Sequence, residues 1–424
     1  MKIHIKNGRV IDPKHGIDAV QDIFIAKGKI VAIGEAPSEF HASRVIDAQS
    51  LIICPGLVDL SVRLREPGLE YKATLESEMG AAVAGGVTSF ACPPDTDPPL
   101  DEPGLVEMLK HRAKSLNQAH VYPIGALTQG LKGERLTEMA ELNDAGCVVF
   151  GQPDGLLPNL RVLMQAMRYA STFGFSVWLR PQEISLTSDG VAHDGEVATR
   201  LGLPTVPVCA ETIALSNIIL LAKETGVRVH LCRVSSAEGL SMIRAAKQQG
   251  LLMTCDVTIN HLHLSDMDIG FFDSNCHMMP PLRASSDRDA LRNGLLDGTI
   301  DAICSDHAPV DEDAKLLPFG QSEIGTTGVE LLLPLTFKWG IEMRLPLLKV
   351  LARITSDPAE ILGIDAGHLS IGKAADICIF DPESYWKVMP SAILSQGKNT
   401  PFLGMELPGK IKYTLVNGHI VYEH

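Results

Sequence analysis

The sequence predicts an α/β fold, a (β/α)8 TIM-like barrel with a small β-sandwich domain built from both chain ends, and two patterns carry that reading. Through the middle of the chain, short and nearly continuous apolar runs alternate with helix-length segments, as in a parallel sheet buried on both faces. At both ends, short alternating segments are separated by Lys-Gly and Asn-Gly pairs, the signature of antiparallel strands.

Taken in order, residues 1–6 alternate apolar and polar side chains, and Asn7-Gly8 follows as a hairpin signal. Strand candidates at 22–25 and 29–33 flank Lys27-Gly28. The far end repeats the pattern, with strands at 375–380, 411–416 and 419–422 around Asn417-Gly418. One β domain assembled from 1–54 and 364–424, with a barrel of 55–363 inserted, explains both ends. The barrel runs fall at 57–60, 88–92, 121–125, 147–150, 176–179, 228–231, 252–257 and 301–304. A helix is expected over Leu75–Ala84, stopped by Gly85-Gly86. Eight such units fit a closed barrel, whose site lies at the C-terminal ends of its strands. On pattern alone, a doubly wound sheet is the rival arrangement.

Composition narrows the function classes. The chain has 424 residues, 45% hydrophobic and 21% charged, ordinary for a globular protein. A net charge of −14 argues against non-specific nucleic-acid binding, which depends on basic patches. No signal-like leader is read at residues 1–6, and no apolar run approaches the ~20 residues that cross a bilayer. A cytoplasmic protein without membrane contact is therefore expected. The nine cysteines are scattered singly, with no CxxC pair, and read as small buried hydrophobes.

Several segments resemble the dihydroorotase family of the amidohydrolase superfamily. They are Pro55-Gly56-Leu57-Val58-Asp59-Leu60, Leu64-Arg65-Glu66-Pro67-Gly68, Gly85-Gly86-Val87-Thr88, Pro280-Pro281-Leu282-Arg283, Ser305-Asp306-His307-Ala308-Pro309 and Lys398-Asn399-Thr400-Pro401-Phe402. Together they run almost end to end. The resemblance implies a barrel mouth in which a His-x-His pair, two later histidines and an aspartate hold metal that activates water. Alternate residues of a strand face the same way, which is why such a pair works.

At the matching positions this chain carries Ser61 and Arg63, then Arg180 and Arg233, and only Asp306 is retained. Serine is a poor zinc ligand, and a guanidinium has no acceptor lone pair. Arg65 stands where the family grips the substrate carboxylate, but the companion asparagines are Asp95 and Met279, and Val310 replaces a loop histidine. The expectation is a degenerate former site made of Ser61, Arg63, Arg65, Asp95, Arg180, Arg233, Met279 and Asp306, with no catalytic residue, bound metal or cofactor. In that reading Arg63, Arg180 and Arg233 replace the metals' charge around Asp306.

From the resemblance, the chain is expected to be a non-catalytic, dihydroorotase-like pseudoenzyme of pyrimidine biosynthesis. It would accompany aspartate carbamoyltransferase, in a homo-oligomer or hetero-oligomer, and be needed for that enzyme's assembly or activity. Two alternatives stay open. One is an active amidohydrolase with a rearranged metal site drawn from Asp306, His230, His261 and Asp154. The other is an anion-binding regulator that uses the arginine-lined pocket. His111, His193, His368 and His424 read as solvated, and Met278 and Met279 as packing.

Overall fold

A computed structural model describes residues 2–153, 159–187 and 189–424. The chain opens with β1 (Lys2–Asp12), β2 (Ile17–Ala26), β3 (Lys29–Ile33), β4 (Arg44–Asp47) and β5 (Ile52–Pro55). Then follow β6 (Leu57–Asp59), β7 (Val87–Cys92), β8 (His120–Ala126), β9 (Val149–Gln152) and β10 (Ser176–Leu179). A small parallel pair, β11 (Ala192–His193) and β12 (Thr205–Val206), precedes β13 (Arg228–Leu231), β14 (Met253–Thr258) and β15 (Ala302–Cys304). The chain ends with β16 (Ile377–Lys387), β17 (Glu406–Val416) and β18 (His419–Glu423).

Strands of both chain ends share one sheet in the order β18-β17-β16-β5-β1-β2-β3, with β4 on β1, and form a small β-sandwich. Its core includes Ile3, Ile5, Ile23, Ile25, Ile53 and Ile377, the inward positions of alternating strands. Two hairpins form where the sequence signals them. Lys27 and Gly28 have φ of 51° and 78°, and Asn417 and Gly418 have 49° and 68°, the left-handed pairs that suit a tight hairpin. The two turns also touch, since a Cβ on Gly28 would lie 2.8 Å from the Asn417 carbonyl oxygen.

Asn7-Gly8 is not a hairpin. Strand β1 continues through it with a bulge between Ile5 and Gly8. Asn7 sits at φ 63°, and its backbone N–H donates to Asp22 (3.0 Å) while its side chain donates to Asp47 (3.1 Å). Both partners lie on neighbouring strands, so tertiary pairing converts a local turn signal into a bulge.

The eight barrel strands run in the order β15-β14-β13-β10-β9-β8-β7-β6, all neighbours parallel. A doubly wound sheet would reverse its order midway, and this one does not. Instead the first and last strands meet. Val62 bridges His307, the Arg63 N–H donates to the His307 carbonyl, and the His307 N–H donates to that of Ser61, both at 3.0 Å. At the other end, Val58 N–H and Ile303 N–H reach the carbonyls of Ile354 and Arg353. Val58, Leu60, Ala91, Ile124, Val149, Trp178, Ala302 and Cys304 pack as one cluster with Ala359 and Leu362. The helix Leu75–Ala84 begins at a Thr74–Ser77 capping box and ends at Gly85, as its sequence signals. No helix among the described residues is long and apolar enough to cross a membrane.

One carboxyl group is held in this frame at a cost. Asp59 is fully buried; one oxygen accepts the N–H groups of Ser61 (3.2 Å) and Ser305 (3.0 Å), and the other has no partner among the described residues. Burial pushes its pKa up from 3.8 to about 6, against the opposing effect of those bonds. The unfolded chain therefore releases this proton first, and stability falls as pH rises from about 4 to about 6, by roughly 3 kcal/mol. Asp59→Asn should flatten the pH dependence of thermal unfolding in that window. An unchanged slope would show that Asp59 ionises normally in the fold.

Candidate active site

Where the barrel strands end, the backbone turns sharply to direct side chains into the mouth. Arg65, Arg233 and Asp306 all sit in the left-handed region, at φ 59°, 56° and 48°, which non-glycine residues seldom adopt. They border a cavity of about 750 Å³, which Arg63, Asp95, Arg180 and Met279 also line. Seven of the eight residues singled out in the sequence thus surround one pocket. The eighth, Ser61, lies beside it and donates to Asp306 Oδ1 at 3.3 Å.

Asp306 is the hub. Its Oδ1 accepts from Arg63 Nη1 at 3.1 Å and from Arg233 Nη1 at 2.9 Å. Arg63 Nε also donates to Asp95 Oδ2 at 2.8 Å, so the asparagine-to-aspartate exchange at 95 is matched by a guanidinium. Arg65 Nε donates to the Pro309 carbonyl at 2.9 Å. Arg180 does not join the pairing on Asp306 as expected. Its Nε donates to the Pro153 carbonyl at 2.8 Å, the same oxygen that Arg233 Nη2 reaches at 2.7 Å.

With Arg63 and Arg233 committed to Asp306, a metal would have to be held elsewhere, and the fold supplies a place. Ligand atoms of His230, Cys232 and Asp256 lie within 4.8 Å of one another, all three residues buried. Imidazole, thiolate and carboxylate are the donor types that zinc takes. His230 Nε2 is 3.0 Å from Asp256 Oδ2, and its Nδ1 is 2.8 Å from the Thr254 hydroxyl, a contact that orients the ring. Trp178 packs on the same ring with centroids 4.4 Å apart, which places His230 inside the barrel. Arg233 joins the two sites, since its backbone N–H donates to Asp256 Oδ1 at 2.6 Å while its side chain reaches Asp306.

Of the ligands considered for a rearranged site, only His230 belongs to this cluster. Asp306 is taken up by arginines. His261 has Nδ1 on the Thr258 hydroxyl and Nε2 on the Pro281 carbonyl, and burial pushes it down to about 4. Asp154 lies outside the described residues. Cys232 packs as a small buried hydrophobe, as its isolation suggests, and it also lies within ligand distance of His230 and Asp256, neither of which the sequence reading pairs with it. The available signal was His230-Leu231-Cys232, two donor side chains spaced to share one face of a strand. Of the other histidines, His111 and His424 are exposed as expected, whereas His193 and His368 are half-buried.

Comparison with known proteins agrees with this architecture. The dihydro-orotase-like family model matches residues 50–239, and the amidohydrolase family model matches residues 176–422. A dihydroorotase-like protein of Pseudomonas putida is 47% identical over 422 residues, covering 100% of this chain and 99% of its own. A dihydroorotase of Geobacter sp. (strain M21) is 40% identical over 423 residues, covering 100% of both chains. The L-hydantoinase (dihydropyrimidinase) from Arthrobacter aurescens superposes with a TM-score of 0.89 at 26% identity, covering 99% of this chain and 96% of that one.

The expectation of a non-catalytic pseudoenzyme is overturned by two of these findings. A buried His-Cys-Asp cluster able to take a metal is present, at positions other than those where the family's histidines were sought. The structural likeness covers 96% of the chain of a protein named as a hydantoinase.

The pairing on Asp306 generates a direct test. Asp306→Asn would leave two buried guanidinium groups facing each other over a neutral amide, a loss on the order of 3 kcal/mol. The variant should melt several degrees below the parent. An unchanged melting temperature would show that Arg63 and Arg233 do not depend on this carboxylate.

Proposed function

The chain belongs to the dihydroorotase-like family of the amidohydrolase superfamily, and from that membership we propose that it hydrolyses a cyclic amide bearing a carboxylate, using a rearranged metal site. The observation that carries this is the convergence of the buried His230, Cys232 and Asp256 inside the barrel, joined to the pocket by Arg233. A divalent metal held there would polarise a carbonyl or activate water. The chain's own groups do the rest. Arg65, whose Nε is fixed by the Pro309 carbonyl, lines the pocket and presents its positive charge to the substrate carboxylate. Asp306, held by Arg63 and Arg233, supplies fixed negative charge at the centre of the pocket.

Four arginines lining one pocket favour a second reading, an anion-binding regulator, in which ligand binds without turnover. Association with aspartate carbamoyltransferase, in a homo-oligomer or hetero-oligomer, is compatible with either reading, and co-purification tests it. None of the nine cysteines forms a disulfide, which supports a reducing compartment such as the cytoplasm.

Zinc-supplemented protein should carry about one equivalent of metal by elemental analysis and turn over dihydroorotate. Cys232→Ala should lose metal and turnover together. Metal-free wild-type protein with no turnover, yet with a melting temperature raised by carboxylates or phosphate, would replace the hydrolase with the regulator.

A further inference from the structure

A second cavity, of about 470 Å³, lies where the C-terminal strands β16, β17 and β18 meet the first barrel helix and the helix Leu332–Glu342. It shares no lining residue with the mouth pocket, and its size is that of a small-molecule site. Trp386 and Tyr422 line it beside Pro334. Both aromatic side chains pack partly on the main core and stay only half-buried. Half-covered aromatic rings favour stacking by another planar ring.

The charges along this wall are unevenly committed. Glu330 accepts the N–H groups of Leu394 (2.8 Å) and Ser395 (3.0 Å), one on each carboxylate oxygen, and Glu423 accepts from Arg44 at 2.6 Å. The ammonium groups of Lys387 and Lys410 have neither an ion pair nor a hydrogen bond among the described residues. Burial pushes Glu330 up to about 7, against its two backbone bonds, so its negative charge is only partial near neutral pH. His424, also at this cavity, is held below its ordinary value by burial and then by the charges of Lys410 and Lys412. The acids here are occupied and the cations are not. A lysine ammonium pairs with a carboxylate or a phosphate as a point charge, without the fixed fork of arginine.

We propose that this cavity is a second binding site, which takes a planar ring carrying a carboxylate or a phosphate, with Trp386 and Tyr422 against the ring and Lys387 and Lys410 on the anion. The site is independent of how the mouth pocket is read.

The tryptophans supply the readout. Of the three in the chain, Trp178 and Trp339 are 0% and 1% exposed, and only Trp386 is half-buried. A fluorescence titration would use benzoate and phenyl phosphate as probes. Benzamide, a ring without charge, and inorganic phosphate, a charge without a ring, are the controls. At least one probe should change the tryptophan emission saturably, the tighter of the two naming the preferred anion. Both controls should bind at least about tenfold more weakly, and Lys387→Gln combined with Lys410→Gln should weaken the tighter probe about tenfold. Trp386→Phe should abolish the signal. A signal that survives Trp386→Phe would put the probe at another site and overturn the proposal. So would a control that binds as well as the probes, full affinity in the double lysine variant, or no response to either probe.

Discussion

The seam where the barrel closes runs through His307, and much of the molecule depends on it. Its backbone joins the first and last barrel strands through Ser61 and Arg63. Its ring Nδ1 accepts the N–H groups of Gly328 and Val329, and its Nε2 meets Glu78 at 2.6 Å. Glu78 lies on the first barrel helix and is fully buried, and it also accepts the Ser395 hydroxyl (2.6 Å) and the Gln396 N–H (3.0 Å). Burial alone would push its carboxyl up, but the His307 and Ser395 bonds more than offset this and hold it below its usual value. One imidazole thus fastens a strand end, a helix and the segment leading into the C-terminal strands. Asp306, the next residue back, takes its left-handed conformation at this seam, so closing the barrel also sets the centre of the pocket.

The mouth and the barrel interior carry charge in two tiers. Above, Asp95 and Asp306 are satisfied by arginine forks; below, Asp256 and His230 satisfy each other. Arg233 belongs to both tiers, with its backbone on the lower and its side chain on the upper. Buried polar groups this close are stabilising only while every member is bonded. A change in the lower tier should therefore be felt at the pocket through one residue.

Most of the barrel was legible because its strands are apolar on both faces and its helices are marked by caps and glycines. The strand at 228–231 and the helix at Leu75–Ala84 fall where the sequence places them. The Asn7-Gly8 signal misled because a bulge and a hairpin use the same left-handed residue, and only the strands alongside decide between them. The mouth residues were singled out through resemblance, and all but Ser61 line one pocket. Asp256 was not, because pairing of β13 with β14 brings it beside His230 and Cys232, and only the His230-Leu231-Cys232 spacing signals the other two. The role of Arg180 was misplaced for a similar reason, as the Pro153 carbonyl that its Nε reaches comes from another strand's end.

The shared terminal sheet has a consequence for how the chain is made. Strand β5 pairs with β16 through Ile53 and Ile379, yet more than three hundred residues separate those partners. At ~5–20 residues per second, a ribosome needs tens of seconds to supply the second half of this sheet. During that interval the hairpin of β1 and β2 and the isoleucines at 3, 5, 23, 25 and 53 have no cover from the C-terminal strands. The barrel, whose strands pair mostly with sequence neighbours, can form as it emerges, while the sandwich must wait. Completion of the fold is thus tied to synthesis of β16 and the strands after it, and a chain cut short before β16 would display an open, isoleucine-rich edge.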